Sequence, residues 1–157
     1  MRPARKGWCP TAEKPMVSGD GMILRLRPRL GRMTRGEFLK ILELSENFGN
    51  SMLDVTSRAN LQIRGLLKRD HSDILTALYS AKMIDPKQEA QPGRNLIIAP
   101  GWTKGGLGEK LGHEFFKEIT NLPALPSKFG FSIDIEGNAS LKDTSSDIRL
   151  ERLDKEH

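Results

Sequence analysis

Cysteine is nearly absent from this sequence, with Cys9 the only one in 157 residues. No internal disulfide can form, and this chain cannot complete a cysteine-based metal site by itself. Long apolar runs are missing as well. Nothing approaches the roughly 18 apolar residues that a membrane span needs. The opening segment, MRPARKGWCPTAEK, has no apolar core of a secretion signal. A cytoplasmic protein with no membrane partner is expected. What is present fits a soluble globular chain, with 37% apolar residues and a mean hydropathy of −0.46. That is material for one ordinary core or two small subdomains.

Charge is distributed unevenly. Residues 1–69 hold 14 Lys/Arg against 6 Asp/Glu, whereas residues 70–157 hold 11 against 14. A basic first half implies an anionic partner: nucleic acid, a phosphate or a polycarboxylate.

Residues 1–20 read as an irregular arm rich in Pro, Gly and charge. From Met22 to Arg27 apolar residues alternate with Arg25 and Arg27, the pattern of a half-buried strand stopped by Pro28. Thr34 and Glu37 have capping-box spacing, and Phe38, Ile41, Leu42, Ser45 and Phe48 follow as the inward face of a helix ended by Gly49. Met52–Thr56 and Ala59–Gly65 read as strands, and Asp70 is placed to cap a helix through Ala81. Residues 85–93 form a polar linker, and Asn95–Ala99 is a short strand. The order β-α-β-β-α-β defines a ferredoxin-like α+β unit over residues 21–84. An α/β segment over 94–157 follows, with Leu107, Leu111, Phe115 and Ile119 on one helix face. Phe129, Phe131, Ile133 and Ile135 alternate along a strand, Gly137 and Asn138 make a turn, and Ile148 and Leu150 start a last strand. This segment ends as though a larger sheet continued elsewhere.

The most informative stretch is TSRANLQIRG, residues 56–65. On a strand, Ala59, Leu61 and Ile63 face inward, while Arg58, Asn60, Gln62 and Arg64 project together from the other face. Two guanidinium forks with two amides between them form a row of donors suited to carboxylates or oxyanions. Arg94, in PGRNLIIAP, and Lys128, in LPSKFGF, add two cations beside apolar strands. No general base or nucleophile is evident, so no catalytic residue is assigned. His71 and His113 lack a second ligand at helical spacing, and Cys9 reads as an ordinary thiol. GGLGEK lacks the spacing of a phosphate-binding loop and reads as a helix entrance.

TSRANLQIRG resembles the ligand-facing strand of siroheme-dependent sulfite and nitrite reductases, T-x-R-x-x-x-Q followed by a basic residue or His and Gly. GRN and LPSKFGF resemble that superfamily's next arginine motif and its lysine-bearing strand, in the same order. The segments GWCPTAEKPMVSGDGMILRLRP and PALPSKFGFSIDIEG are similar to the precorrin-3B synthase branch, which hydroxylates precorrin-3A in cobalamin biosynthesis. The resemblance implies that residues 21–84 form a nitrite/sulfite reductase ferredoxin-like half domain, and that residues 94–157 begin the reductase-type domain. It also implies that Arg58, Asn60, Gln62, Arg64, Arg94 and Lys128 contact an anionic tetrapyrrole of precorrin or siroheme type.

The reductases carry a second active-site lysine, which here falls on Gly130. Losing a cation there fits a larger substrate better than sulfite or nitrite. Family members also hold a [4Fe–4S] cluster through four thiolates, and these are absent here. The resemblance therefore implies that the cluster, the heme-type group and an electron donor belong to a complete oxidoreductase in which this chain is the N-terminal half. A C-terminal half or second subunit would be its partner. Two alternatives stand beside this reading. One is a fragment of a sulfite or nitrite reductase. The other is a basic ferredoxin-like RNA-binding module, disfavoured because the outward positions of residues 59–65 hold no aromatic side chain on which bases could stack.

Overall fold

The computed structural model describes residues 9–84, 95–123, 125–126, 128–137 and 139–152. The chain divides near residue 90 into two compact units, each described here by itself.

The first unit is a four-stranded antiparallel sheet with two helices on one face. Its strands are β1 (Met16–Ser18), β2 (Gly21–Leu26), β3 (Leu53–Val55) and β4 (Leu61–Leu66), in the order β1-β2-β4-β3. The arm expected over residues 1–20 is therefore corrected at its end. Ser18 pairs with Gly21 across a two-residue Gly19–Asp20 turn, so Met16–Ser18 folds back on β2 as an edge strand. The alternation read from the sequence holds from Leu24 to Leu26 of β2 and from Leu61 to Arg64 of β4, while Ile23 is buried beside Leu24. Leu24, Leu26, Leu61 and Ile63 are buried together with Ile41 and Leu44 of helix α1 (Arg35–Phe48) and Ile74 and Leu78 of helix α2 (His71–Ser80).

Helix α1 starts where its capping box requires. The Glu37 amide donates to Thr34 Oγ1 at 3.2 Å and the Thr34 amide to Glu37 Oε2 at 2.6 Å, satisfying two N–H groups that the helix leaves open. Its buried positions are Ile41, Leu44 and Ser45, not the expected Leu42, and Phe38 is exposed. The helix lies on the sheet along an i, i+3, i+4 stripe rotated slightly from the one read out of the sequence. Asp70 stands at the start of α2 but makes no capping bond. Its backbone is already helical (φ −90°, ψ −2°) after a 3-10 turn over Lys68–Asp70, whereas a capping side chain needs an extended backbone.

The second unit is a parallel sheet of β5 (Asn95–Ile98), β6 (Gly130–Asp134) and β7 (Ile148–Glu151), with β6 central. The last strand of the β-α-β-β-α-β series, β5, thus leads this sheet, and β1 is the fourth strand of the first one. Gly130, Phe131, Ser132 and Ile133 are all buried. That loss of alternation is what a central parallel strand covered on both faces shows. Helix α3 (Leu107–Glu118) lies against it, with the Phe115 and Phe131 ring centroids 4.7 Å apart. The buried face of α3 includes Gly108 and Gly112, while Leu107, expected inside, is exposed. Gly108 sits so close to Trp102 that a Cβ would lie 3.0 Å from the Trp102 Cβ, which brings the helix backbone down and lifts Leu107 away. Among the described residues no helix is long and apolar enough to cross a membrane.

Candidate anion-binding face

The face of the first sheet opposite its helices collects the polar residues of β2, β3 and β4. Strand register places Arg25 of β2 and Asp54 of β3 on either side of Gln62 of β4. With the Gln62 amide oxygen turned toward Arg25, it accepts from Nη2 at 2.8 Å and Nε at 3.3 Å. Arg25 was not among the residues singled out from the sequence as ligand contacts. The signal was there in the Met22–Arg27 alternation, but only the pairing register shows which β4 residue it meets.

One step along β4 the pairing slips. Leu24 faces Ile63, whereas Met22 faces Leu66, so β4 carries one extra residue at Arg64–Gly65. Gly65 takes φ +75° there, and Gly21 opposite it (φ +122°) has its backbone so close that a Cβ would lie 2.8 Å from the Gly65 carbonyl carbon. A bulge of this kind re-aims a side chain. Here it accompanies the turning of Arg64 toward the β1–β2 turn. Arg64 Nε donates to Asp20 Oδ2 at 2.8 Å and Nη2 to Asp20 Oδ1 at 3.1 Å. Nη1 donates to Asp54 Oδ2 at 2.9 Å, and Nη2 also reaches Ser18 Oγ at 3.4 Å. The two-pronged bond from Arg64, with help from Ser18, holds the Asp20 carboxyl at about 2, well below the ordinary carboxylate range, and Asp20 and Asp54 raise Arg64 in turn. Arg64 is thus a cation already matched by two carboxylates of its own chain.

Arg58 and Asn60 do not continue this row, as was expected of a strand running through residues 59–65. The strand begins at Leu61, and residues 56–60 form a tight turn with Ala59 at φ +52°. Thr56 makes the turn, its Oγ1 accepting from the amides of Arg58 (3.4 Å) and Asn60 (3.2 Å). Asn60 is buried and Arg58 half-buried at the hairpin end. Arg94 lies outside the described residues. Lys128 belongs to the second unit and is exposed in the turn just before β6.

In the second unit a cleft of about 500 Å³ opens where β5 and β6 end, lined by Gly101, Thr103, Asp134, Glu136, Gly137 and Arg152. Its carboxylates are engaged with backbone. Asp134 Oδ2 accepts from the Leu141 amide at 2.7 Å, and Glu136 accepts from the amides of Leu107 (2.6 Å) and Thr103 (3.2 Å). These bonds hold the Glu136 carboxyl below its usual range. The start of α3, the kind of helix end at which phosphates dock in other proteins, is filled by Glu136. That agrees with reading GGLGEK as a helix entrance.

The two histidines set aside from metal binding have structural contacts: His71 Nε2 lies 2.8 Å from the Ala12 carbonyl oxygen, and His113 lies 3.9 Å from Glu109. No cluster of three His, Cys, Asp or Glu side chains able to hold a metal occurs among the described residues. With one cysteine, the chain's own donors do not fit a four-thiolate iron–sulfur cluster.

Residues 14–81 match the family described as nitrite/sulfite reductase ferredoxin-like half domain, a stretch that spans the four strands and two helices of the first unit. Over 95% of its length the chain is 40% identical to a precorrin-3B synthase of Sinorhizobium sp. Over 63% it is 30% identical to a ferredoxin–nitrite reductase of Leptolyngbya laminosa. Both relatives are oxidoreductases. The chain spans about a third of the first relative's length and about a fifth of the second's.

Proposed function

We propose that this chain is the tetrapyrrole-binding N-terminal part of a precorrin-3B synthase-type oxidoreductase, and that it contributes binding and electrostatics. The observation that carries this reading is the set of guanidinium and amide groups of Arg25, Gln62 and Arg64 on the helix-free face of a ferredoxin-like half domain. Ring carboxylates of a precorrin- or siroheme-type ligand are the anions such a face suits. Arg58, half-buried at the end of the same hairpin, is a further candidate contact, whereas Asn60 is buried there. From the resemblance alone, Arg94 and Lys128 are proposed as further tetrapyrrole contacts.

An iron–sulfur cluster and a heme-type group would bring the redox chemistry, while the chain's residues bind and orient. The single cysteine assigns the cluster to other polypeptide, so a C-terminal half or second subunit, together with an electron donor, completes the proposed enzyme. Gly130 favours hydroxylation of a corrinoid precursor over reduction of sulfite or nitrite. No lysine stands at that position to add charge to a small oxyanion pocket.

The test is a titration of the purified chain with siroheme and with uroporphyrin, followed by absorbance, alongside Arg58→Ala. Saturable binding weakened about tenfold in the variant is expected, the loss of one well-placed charged contact. A folded chain that binds neither ligand, or binds both equally well without Arg58, overturns the assignment. A chain that instead binds single-stranded RNA with steep salt dependence, and no tetrapyrrole, supports the RNA-binding alternative.

A further inference from the structure

The most unusual feature of the proposed face is that its cation Arg64 is occupied. Of the five N–H donors of Arg64, Nε and one on Nη2 hold Asp20 as a fork, Nη1 holds Asp54, and Nη2 also reaches Ser18. Asn50 Nδ2 adds a 3.4 Å bond to the same Asp20 oxygen. Yet none of these groups is sequestered: the side chains of Arg64, Asp20 and Asp54 are 24%, 33% and 42% exposed. Ion pairs this accessible are weakly held, because water competes for both partners.

The hairpin carrying Asp20 is held by the β1–β2 and β2–β4 ladders, independently of the ion pair. Releasing Asp20 therefore need not open the sheet. A carboxylate on a short aliphatic stem, as on the rim of a tetrapyrrole, presents the same two oxygens to the same fork.

We propose that Asp20 is an internal stand-in for a ligand carboxylate: a side-chain carboxylate of the bound tetrapyrrole replaces Asp20 on Nε and Nη2 of Arg64, while Asp54 stays on Nη1. This rests on the reading of the face as a tetrapyrrole site and adds a determinant of affinity to it. In the empty protein the Asp20 pair keeps Arg64 compensated. In the loaded protein Asp20 is a like charge at the ligand's edge, which lowers affinity and eases release.

The sign of one substitution decides the matter. If Asp20 competes with the ligand, Asp20→Asn tightens uroporphyrin binding, by roughly two- to fivefold at low salt, although it removes an ion pair from the protein. Asp54→Asn is the second variant and gives a smaller gain, since Asp54 holds only Nη1. Arg64→Gln weakens binding, and on that background Asp20→Asn gives no further gain. The guanidinium Nε–H signal of Arg64, followed by NMR, shifts on titration in the wild type.

Unchanged or weaker binding by Asp20→Asn, in a chain whose amide spectrum is native, overturns the exchange. So does a gain that persists without Arg64, because it would be a general charge effect. Binding that depends on Arg58 but leaves the Arg64 signal still overturns the exchange and leaves the tetrapyrrole reading intact. No binding by the wild type or by Asp20→Asn overturns both.

Discussion

The two units of this chain use carboxylates in opposite ways. In the first, Asp20 and Asp54 are matched to a guanidinium, side chain to side chain, on a face reachable by solvent. In the second, Glu136 and Asp134 are matched to backbone amides at the ends of parallel strands, and they tie loops to a helix and to each other. A side-chain partner can be exchanged for a ligand without unfolding anything, whereas a backbone amide cannot be released without loosening the loop that carries it. The contrast separates a face proposed to bind anions from a cleft whose carboxylates are taken up by the protein's own backbone.

The largest expected effect tests whether the first face depends on its bulge. Gly65→Ala places a side chain at φ +75° with its Cβ 2.6 Å from the Asn50 Cβ. Strain and clash together should cost about 2–4 kcal/mol, read as a lowered urea midpoint with an unchanged slope. Arg64 should also lose its aim, so Arg64→Gln on the Gly65→Ala background should change uroporphyrin affinity no further. A native midpoint would mean that the bulge is incidental to the site.

Next is the loop lock of the second unit. Gly106 has an ordinary backbone, yet a Cβ there would lie 2.5 Å from Thr103 Oγ1 and 2.7 Å from Glu136 Oε1. Gly106→Ala should push the carboxylate off the helix start at a cost of about 1–3 kcal/mol. Hydrogen exchange at the Leu107 amide should speed up while exchange within β4 stays as it was. Equal loss of protection in both units would show that they do not respond separately. Glu136→Gln should produce a milder form of the same change, because the amide still offers one oxygen.

How much of this was legible in the sequence depends on the range of the interactions. Local features were readable: the Thr34–Glu37 capping box, the Leu24–Leu26 alternation of β2 and the helix entrance in GGLGEK each depend on residues within a few positions. The turn that removes Arg58 and Asn60 from the strand was less so. Thr56 is as good a strand residue as a turn-former, and only its hydroxyl bonds to two following amides decide. The matching of Arg64 was not readable at all. Its partners lie 44 and 10 residues away, and one extra residue in β4 brings the guanidinium within their reach. Arg25 shows the same limit, since alternation assigns it a face but no neighbour.

The smallest expected effect concerns pH and bears on how firmly the first face is held. Asp20 has a folded-state pKa of about 2 against an ordinary 3.8. Between those values the unfolded chain binds a proton that the folded chain does not, so stability rises with pH across the window and is lost as pH falls from about 4 to about 2. Above the ordinary value the contribution of Asp20 is fully present and constant. Other groups titrate in the same range, and Glu37 and Glu136 are also lowered by their backbone bonds. The informative quantity is therefore the difference between wild type and Asp20→Asn, followed by urea unfolding at steps from pH 5 to pH 2. The two curves should be parallel above pH 4 and converge below it, and 0.5 M salt should shrink the gap because the pair is exposed. A gap independent of pH would mean that Asp20 supports the hairpin through hydrogen bonds an asparagine cannot replace, and not through its charge. In that case the contrast between exchangeable and fixed carboxylates would fail at its first member.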